Sequence, residues 1–257
     1  MTRYWLFFLL SFFYINIFAQ DPDIKFEDKY QDDYDDFREG FIGASYGVSI
    51  PYGLFGNKDA EKSLAGYAKI GRSYKINFGY DMTRNAGYTC RFMWAYNDIE
   101  KKKLIESFSN NPFINTKNNL TDINFRTNWY SGGFMAGAYA KVSKNKWIFD
   151  ITGLVGFLKY KTPDMDIFIN NSNSAELIEA KDIFALTGSV GLNIKYKITK
   201  LIILNLNCEG VYAEPVFNKY RGLKSSIIDY VNNTDGETKQ QPIFNIINSI
   251  GIYFVID

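Results

Sequence analysis

Residues 184–198 read Phe-Ala-Leu-Thr-Gly-Ser-Val-Gly-Leu-Asn-Ile-Lys-Tyr-Lys-Ile. Phe184, Leu186, Val190, Leu192, Ile194, Tyr196 and Ile198 fall on one side of an extended chain. Thr187, Ser189, Gly191, Asn193, Lys195 and Lys197 fall on the other. Successive side chains of a β-strand point to opposite faces, so this period of two predicts a strand with one apolar and one polar face. The alternation runs well past the roughly five or six residues of an ordinary globular strand.

Seven further stretches show the same period. Ile42, Ala44, Tyr46, Val48 and Ile50 oppose Gly43, Ser45, Gly47 and Ser49. Ala68 and Ile70, then Tyr74, Ile76, Phe78, Tyr80 and Met82, oppose Lys69, Ser73, Lys75, Asn77 and Asp81. Tyr88, Cys90, Phe92, Trp94 and Tyr96 oppose Thr89, Arg91, Met93 and Asn97. A Gly-rich stretch over about 126–142 sets Phe134, Ala136, Ala138 and Ala140 against Tyr139 and Lys141. Trp147, Phe149, Ile151, Val155 and Phe157 oppose Asp150 and Thr152. Ile202, Leu204, Leu206, Cys208 and Tyr212 oppose Asn205, Asn207 and Glu209. Ile246, Ile250, Ile252, Phe254 and Ile256 oppose Ser249, Gly251 and Tyr253.

The connections alternate in length. Residues 51–65, 97–125, 161–182 and 214–243 are long, whereas 83–87, 143–146 and 199–200 are short. An even number of strands with this alternation predicts an up-and-down antiparallel arrangement. Either face of such a sheet could be the inner one. A soluble exported barrel holding an apolar ligand, as in lipocalins, would turn the apolar face inward. A membrane barrel turns it outward. Strand length and the aromatic residues near the strand ends (Tyr80, Tyr88, Tyr96, Trp147, Tyr196 and Tyr212) favour the membrane form. Lipid offers the backbone no hydrogen-bond partner, so the sheet must close. The predicted fold is therefore all-β, an eight-stranded antiparallel up-and-down transmembrane β-barrel over residues 41–257. Short turns belong to the periplasmic side of such a barrel and long loops to the extracellular side, which puts both termini in the periplasm.

Composition agrees. Of 257 residues, 46% are apolar, 18% aromatic and 22% charged, and the mean hydropathy is −0.21. Few long apolar runs exist for a helical membrane protein, and a disordered chain would be poorer in aromatics. Two cysteines are too few for a disulfide scaffold. No histidine is present, which removes Ser-His-Asp triads, Cys-His pairs and His-ligated metal sites.

The N-terminal part differs from the rest. Arg3, the apolar run Trp5 to Phe18 and the small residue Ala19 predict a signal peptide over 1–19. Residues 20–40 form an acidic stretch predicted to be a flexible periplasmic leader. Its nine acids and three bases between 21 and 40 give a net charge of −6, while 41–257 carries 25 bases and 19 acids. The simple reading is a solvated tail, and the sharper one a segment that folds back onto the basic body. A third possibility is that the leader contacts a secretion or transport machine to which the barrel is accessory.

The first strand (Gly43-Ala44-Ser45-Tyr46-Gly47-Val48), the stretch Tyr74 to Tyr80 and the C-terminal Gly251-Ile252-Tyr253-Phe254-Val255-Ile256-Asp257 resemble the small outer-membrane barrels of the OmpA/OmpX type. The likeness is one of pattern over most of 41–257. It is greatest to poorly characterised Bacteroidota barrels. It implies an outer-membrane protein with a structural, adhesive or envelope-interaction role. Outer-membrane barrel enzymes of the protease, phospholipase, acyltransferase and deacylase types use a histidine, so the resemblance implies a non-enzyme here.

The candidate site is the lumen. Lys69, Lys75, Asp81, Arg91, Lys141, Asp150, Lys195, Lys197 and Glu209 share the polar face and would be costly to bury unpaired. Eight strands enclose a space just wide enough for side chains to fill. A charged plug is expected in preference to a narrow, anion-leaning conduit. Cys90 and Cys208 lie on the apolar faces of non-adjacent strands and are expected to be free, lipid-facing thiols. Asp164 and Asp166 could form a loop carboxylate pair, but a solvated loop is the simpler reading. No Gly-rich phosphate loop joins a strand to a helix. No cofactor and no nucleic-acid partner are expected. The expected partners are outer-membrane lipid and an external molecule met by loops 97–125, 161–182 and 214–243. The barrel is expected to be monomeric.

Overall fold

A computed structural model describes residues 39–58, 65–109, 120–125, 127–169, 175–178, 182–220 and 237–256. The predicted signal peptide and nearly all of the acidic leader lie outside the described residues. Glu39 and Gly40, read above as the end of the leader, belong structurally to the barrel.

In chain order the elements are β1 (Gly40–Tyr52), α1 (Gly53–Gly56), β2 (Gly71–Thr83), β3 (Ala86–Asn97), α2 (Lys101–Ser109), β4 (Leu120–Phe125), β5 (Trp129–Lys144), β6 (Trp147–Lys161), β7 (Met165–Ile169), β8 (Ala175–Ile178), β9 (Asp182–Lys197), β10 (Ile202–Ala213), β11 (Val216–Tyr220), β12 (Glu237–Gln240) and β13 (Ile243–Ile256). Eight of these strands close a barrel in the order β1-β13-β10-β9-β6-β5-β3-β2. Each pairs antiparallel with its neighbours, and closure runs from Gly40 opposite Ile256 to Tyr52 opposite Phe244. The remaining strands lie between barrel strands. They form a three-stranded sheet, β4-β7-β8, and a hairpin, β11-β12. The long connections are thus partly strand, as at Ile167-Phe168-Ile169 in β7. The connection after β3 also holds the helix α2.

Local chemistry sets the three tight turns. Thr83 Oγ1 accepts from the amides of Asn85 (3.3 Å) and Ala86 (3.1 Å). Thr199 Oγ1 accepts from Leu201 (3.2 Å) and Ile202 (3.0 Å). Between β5 and β6, Asn145 adopts φ +56°, a left-handed conformation that Asn tolerates.

Two sequence expectations fail at the start of a strand. Ala68 and Ile70 are not part of the second strand. Tyr67 adopts φ +51° and Ala68 forms an isolated bridge with Ile99, so β2 begins only at Gly71. The fourth barrel strand, β5, likewise starts at Trp129 and not near 126.

The outer face is apolar. Tyr46, Ile76, Phe92, Phe134, Ile151, Val155, Leu192, Leu206, Ile250 and Ile252 are all exposed on it. Aromatics collect at its two ends. Tyr80, Tyr88, Trp147 and Tyr196 sit at the turn end, where the rings of Trp147 and Tyr196 lie 4.7 Å apart. Tyr52, Tyr96, Tyr130, Tyr212 and Phe244 sit at the loop end. From Tyr88 to Tyr96, β3 rises roughly 26 Å at about 3.3 Å per residue. A strand tilt of roughly 40° projects this to about 20 Å, near the height of a transmembrane apolar band. Asn248, set between Val48 and Cys208 in the register, is the polar exception between the girdles among the described residues.

Candidate functional site

The inward faces of the barrel strands carry small, polar and charged residues, and these meet across the lumen. Glu209 on β10 is the centre of the largest group. Its Oε2 lies 2.8 Å from Lys75 Nζ of β2, and its Oε1 takes the Arg91 guanidinium of β3. Lys75 also donates to Asn207 Oδ1 (2.5 Å), and Arg91 Nε donates to Asn77 Oδ1 (2.5 Å). The network continues through Asn207 Nδ2, which donates to Asn193 Oδ1 at 2.9 Å. Asn193 Nδ2 in turn donates to Asp150 Oδ1 (2.5 Å) and Thr152 Oγ1 (2.9 Å). Asp150 pairs with Lys195 at 2.8 Å. One chain of contacts therefore links β3, β2, β10, β9 and β6. Its five charges, Lys75, Arg91 and Lys195 against Glu209 and Asp150, are all buried.

Towards the turns, Asp81 accepts from Lys141 Nζ at 2.5 Å and from the Tyr139 hydroxyl. Lys195 Nζ lies 4.4 Å from the ring centre of Phe41, a cation–π distance. Phe41 stacks on Tyr253 with centroids 5.4 Å apart. Both rings need glycine opposite them. A Cβ on Gly43 would stand 1.9 Å from the Tyr253 ring, and one on Gly79 would stand 2.1 Å from that of Phe41. Ile203 and Val255 complete this small apolar layer.

Seven of the nine candidate residues thus point into the lumen and are paired there. The two others are at its ends. Lys197 meets Glu39 at 3.1 Å and is partly exposed at the turn end. Lys69 is a correction. It precedes β2, is exposed, and lies 3.6 Å from Glu100 at the loop end, because the chain at Tyr67–Ala68 leaves the barrel register.

The lumen is not polar throughout. On the loop side of the charged layer, Met93, Met135, Leu154, Leu158, Tyr160, Val211 and Ile247 form a buried apolar cluster. Phe55 of α1, Tyr67 and Trp129 pack on it from above. Trp129 donates from Nε1 to the Gly66 carbonyl (3.0 Å), with its ring edge-on to Phe55 at 5.3 Å. Among the described residues, two small cavities hold about 10 Å³ each, space for a single water. The apolar-ligand alternative required the apolar face inward and an open interior. Among the described residues that face points outward, and buried side chains fill the interior.

The loop residue Asp164 is held by Thr127, whose Oγ1 accepts from the Asp164 amide at 2.8 Å. The Asp166 side chain lies outside the described residues. No group of three or more His, Cys, Asp or Glu that could hold a metal occurs among the described residues. Cys90 and Cys208 are free and face outward, with β5, β6 and β9 between their strands. The protein should migrate identically on denaturing gels with and without reductant. In intact membranes a water-soluble maleimide should label neither thiol, and SDS should expose both. A Cys90–Cys208 bond would contradict the strand order.

No protein-family model matches the chain, and no curated protein matches its sequence. Solved structures are similar to this chain at low identity. Ail, the attachment invasion locus protein of Yersinia pestis, is 13% identical with a TM-score of 0.44, over 85% of this chain and 99% of that one. A major outer membrane protein from Thermus thermophilus gives 8%, 0.47, 84% and 99%. The outer membrane protease OmpT from Escherichia coli gives 7%, 0.42, 87% and 98%. No functional reading rests on likenesses of this size, and they do not bear on the resemblance to Bacteroidota proteins.

Proposed function

We propose that this protein is an integral outer-membrane barrel with a structural, adhesive or envelope-interaction role, without enzymatic activity and without an open conduit. The observation that carries this reading is the inverted distribution of polarity. Large apolar side chains cover the outside of the closed sheet, while six buried charges, Lys75, Asp81, Arg91, Asp150, Lys195 and Glu209, occupy its interior. A contiguous exposed apolar surface of this extent has no place on a soluble monomer. A closed sheet is also one of the two structures whose backbone is satisfied in lipid. The filled lumen leaves the loop end as the surface for an external partner, through the segments 97–125, 161–182 and 214–243. By this reading the three short turns and both chain ends face the periplasm.

The protein should fractionate with outer membranes. An unheated sample should migrate faster on a gel than a boiled one, as a closed barrel resists SDS. Recovery of the native chain as a detergent-free soluble species would defeat the proposal. Epitope tags within 97–125 or 214–243 should be reached by antibody on intact cells, and tags at Asn85 or Asn145 should not.

A further inference from the structure

The two ends of the barrel distribute their charge differently. At the loop end cations and acids are interspersed. Lys58 and Lys69 meet Glu100, Lys103 meets Glu106, Lys159 meets Asp182 and Lys161 meets Asp164. At the turn end the tips read Met-Thr-Arg-Asn-Ala (82–86), Ser-Lys-Asn-Lys-Trp (143–147) and Ile-Thr-Lys-Leu-Ile (198–202), with no acidic residue in any of them. Lys144, Lys146 and Lys200 are exposed there, as is Arg84. The three tips are neighbours. The Lys141 amide donates to the Asn85 carbonyl (2.7 Å), and the Lys197 amide to the Lys146 carbonyl (2.8 Å). The cations therefore form an arc along six adjacent strands, from β2 to β10. The remaining quarter is occupied by Gly40 and Ile256, where Glu39 is taken up by Lys197. The Thr83 and Thr199 side-chain caps hold two of the three tips. The arc lies just beyond Tyr80, Tyr88, Trp147 and Tyr196, the aromatic girdle that marks the interface on this side.

We propose that this arc binds the phosphodiester headgroups of anionic phospholipid in the leaflet that meets the turns. The proposal rests on the membrane reading above. Exposed cations held at headgroup depth, next to interfacial aromatics and on tips that carry no acid, attract anionic lipid electrostatically. A single such cation supports roughly a fivefold local preference. The net effect on the surrounding lipid shell is smaller, because most shell lipids touch no cation.

The test is a spin-label measurement on the full mature chain in phosphatidylcholine vesicles, with spin-labelled phosphatidylglycerol or spin-labelled phosphatidylcholine as probe. The immobilised fraction of the phosphatidylglycerol probe should exceed that of the phosphatidylcholine probe by about twofold or more, and salt should reduce the excess. In R84Q/K144Q/K146Q/K200Q the ratio should fall to about 1. In K144R/K146R/K200R, which keeps the charge, it should stay near the wild-type value. Equal immobilisation of the two probes by the wild-type chain, or an undiminished ratio in the glutamine variant, would overturn the proposal. A ratio of about 1 that rises when residues 21–38 are deleted would also overturn it, since the acidic leader would then be the occupant of the arc. Heat-modifiable migration of each sample verifies insertion. Failure of the wild-type chain to insert would count against the membrane reading and not against the arc alone.

Discussion

Glu209→Leu should destabilise the folded barrel by about 3–5 kcal/mol, the cost of leaving a buried ion cluster without one partner. The reason is geometric. Lys75 and Arg91 approach the same carboxylate from two adjacent strands, and all three groups are almost wholly buried. Removing Glu209 leaves two cations facing each other in the interior, with Asn207 and Asn77 as their remaining neutral partners. Urea unfolding in short-chain lipid vesicles, followed by heat-modifiability, measures the loss. The triple substitution K75M/R91M/E209L should recover most of it, because an apolar replacement of a whole buried cluster is often neutral or stabilising. If Glu209→Leu unfolds at the wild-type urea concentration, the cluster contributes nothing to stability and the lumen reading is wrong.

Leu192→Arg should cost about 2–4 kcal/mol, the penalty for arginine on the lipid face near the bilayer midplane. Leu192 is 60% exposed on β9, between Ile151 and Cys208 in the register and far from both girdles. In water the same substitution would place a charge on an exposed position at almost no cost. Val142→Arg provides the internal comparison. Val142 is 69% exposed but sits at the turn-end girdle, opposite Phe149 and two residues before the Lys144–Trp147 pair, and there the expected cost is about 0–1 kcal/mol. A difference between the two variants reports depth in a bilayer. Equal, negligible costs would mean that the apolar exterior does not meet lipid.

Much of the fold was legible because a strand exposes its environment residue by residue. Phe184 to Ile198 and Ile246 to Ile256 alternate so regularly that only one register keeps the apolar set together. A slip of one residue would turn every side chain to the wrong face. The reading failed where the chain stopped being a strand without changing its pattern. Ala68 and Ile70 continue the alternation of Tyr74 and Ile76, yet the positive φ at Tyr67 takes them out of the sheet, and Lys69 goes with them to Glu100. The apolar half of the lumen was missed for a different reason. Leu154 and Leu158 share the phase of Asp150 and Thr152, and Met93 that of Arg91. Phase therefore assigned these residues to the interior, but an apolar residue among polar ones carries no mark of what it packs against. Phe55 and Tyr67 come from segments without periodicity, and Trp129 shares the inward phase of Tyr139 without any mark of what it packs against, so nothing local announced a lid.

The candidate site shows the same division. Membership of the lumen followed from alternation for Lys75, Asp81, Arg91, Lys141, Asp150, Lys195 and Glu209. Their partners did not follow. Lys75 and Glu209 are 134 positions apart, and Arg91 and Glu209 are 118 apart. No spacing rule relates residues that meet only because the sheet closes. Sequence alone determined which face each strand residue takes, because a two-residue period is a property of the local backbone. Tertiary structure decided which charges neutralise one another, that the amides of Asn77, Asn193 and Asn207 join them, and that an apolar layer seals the loop end. Those outcomes depend on barrel closure, which brings distant strands within hydrogen-bonding reach across a lumen too narrow to leave any of them solvated.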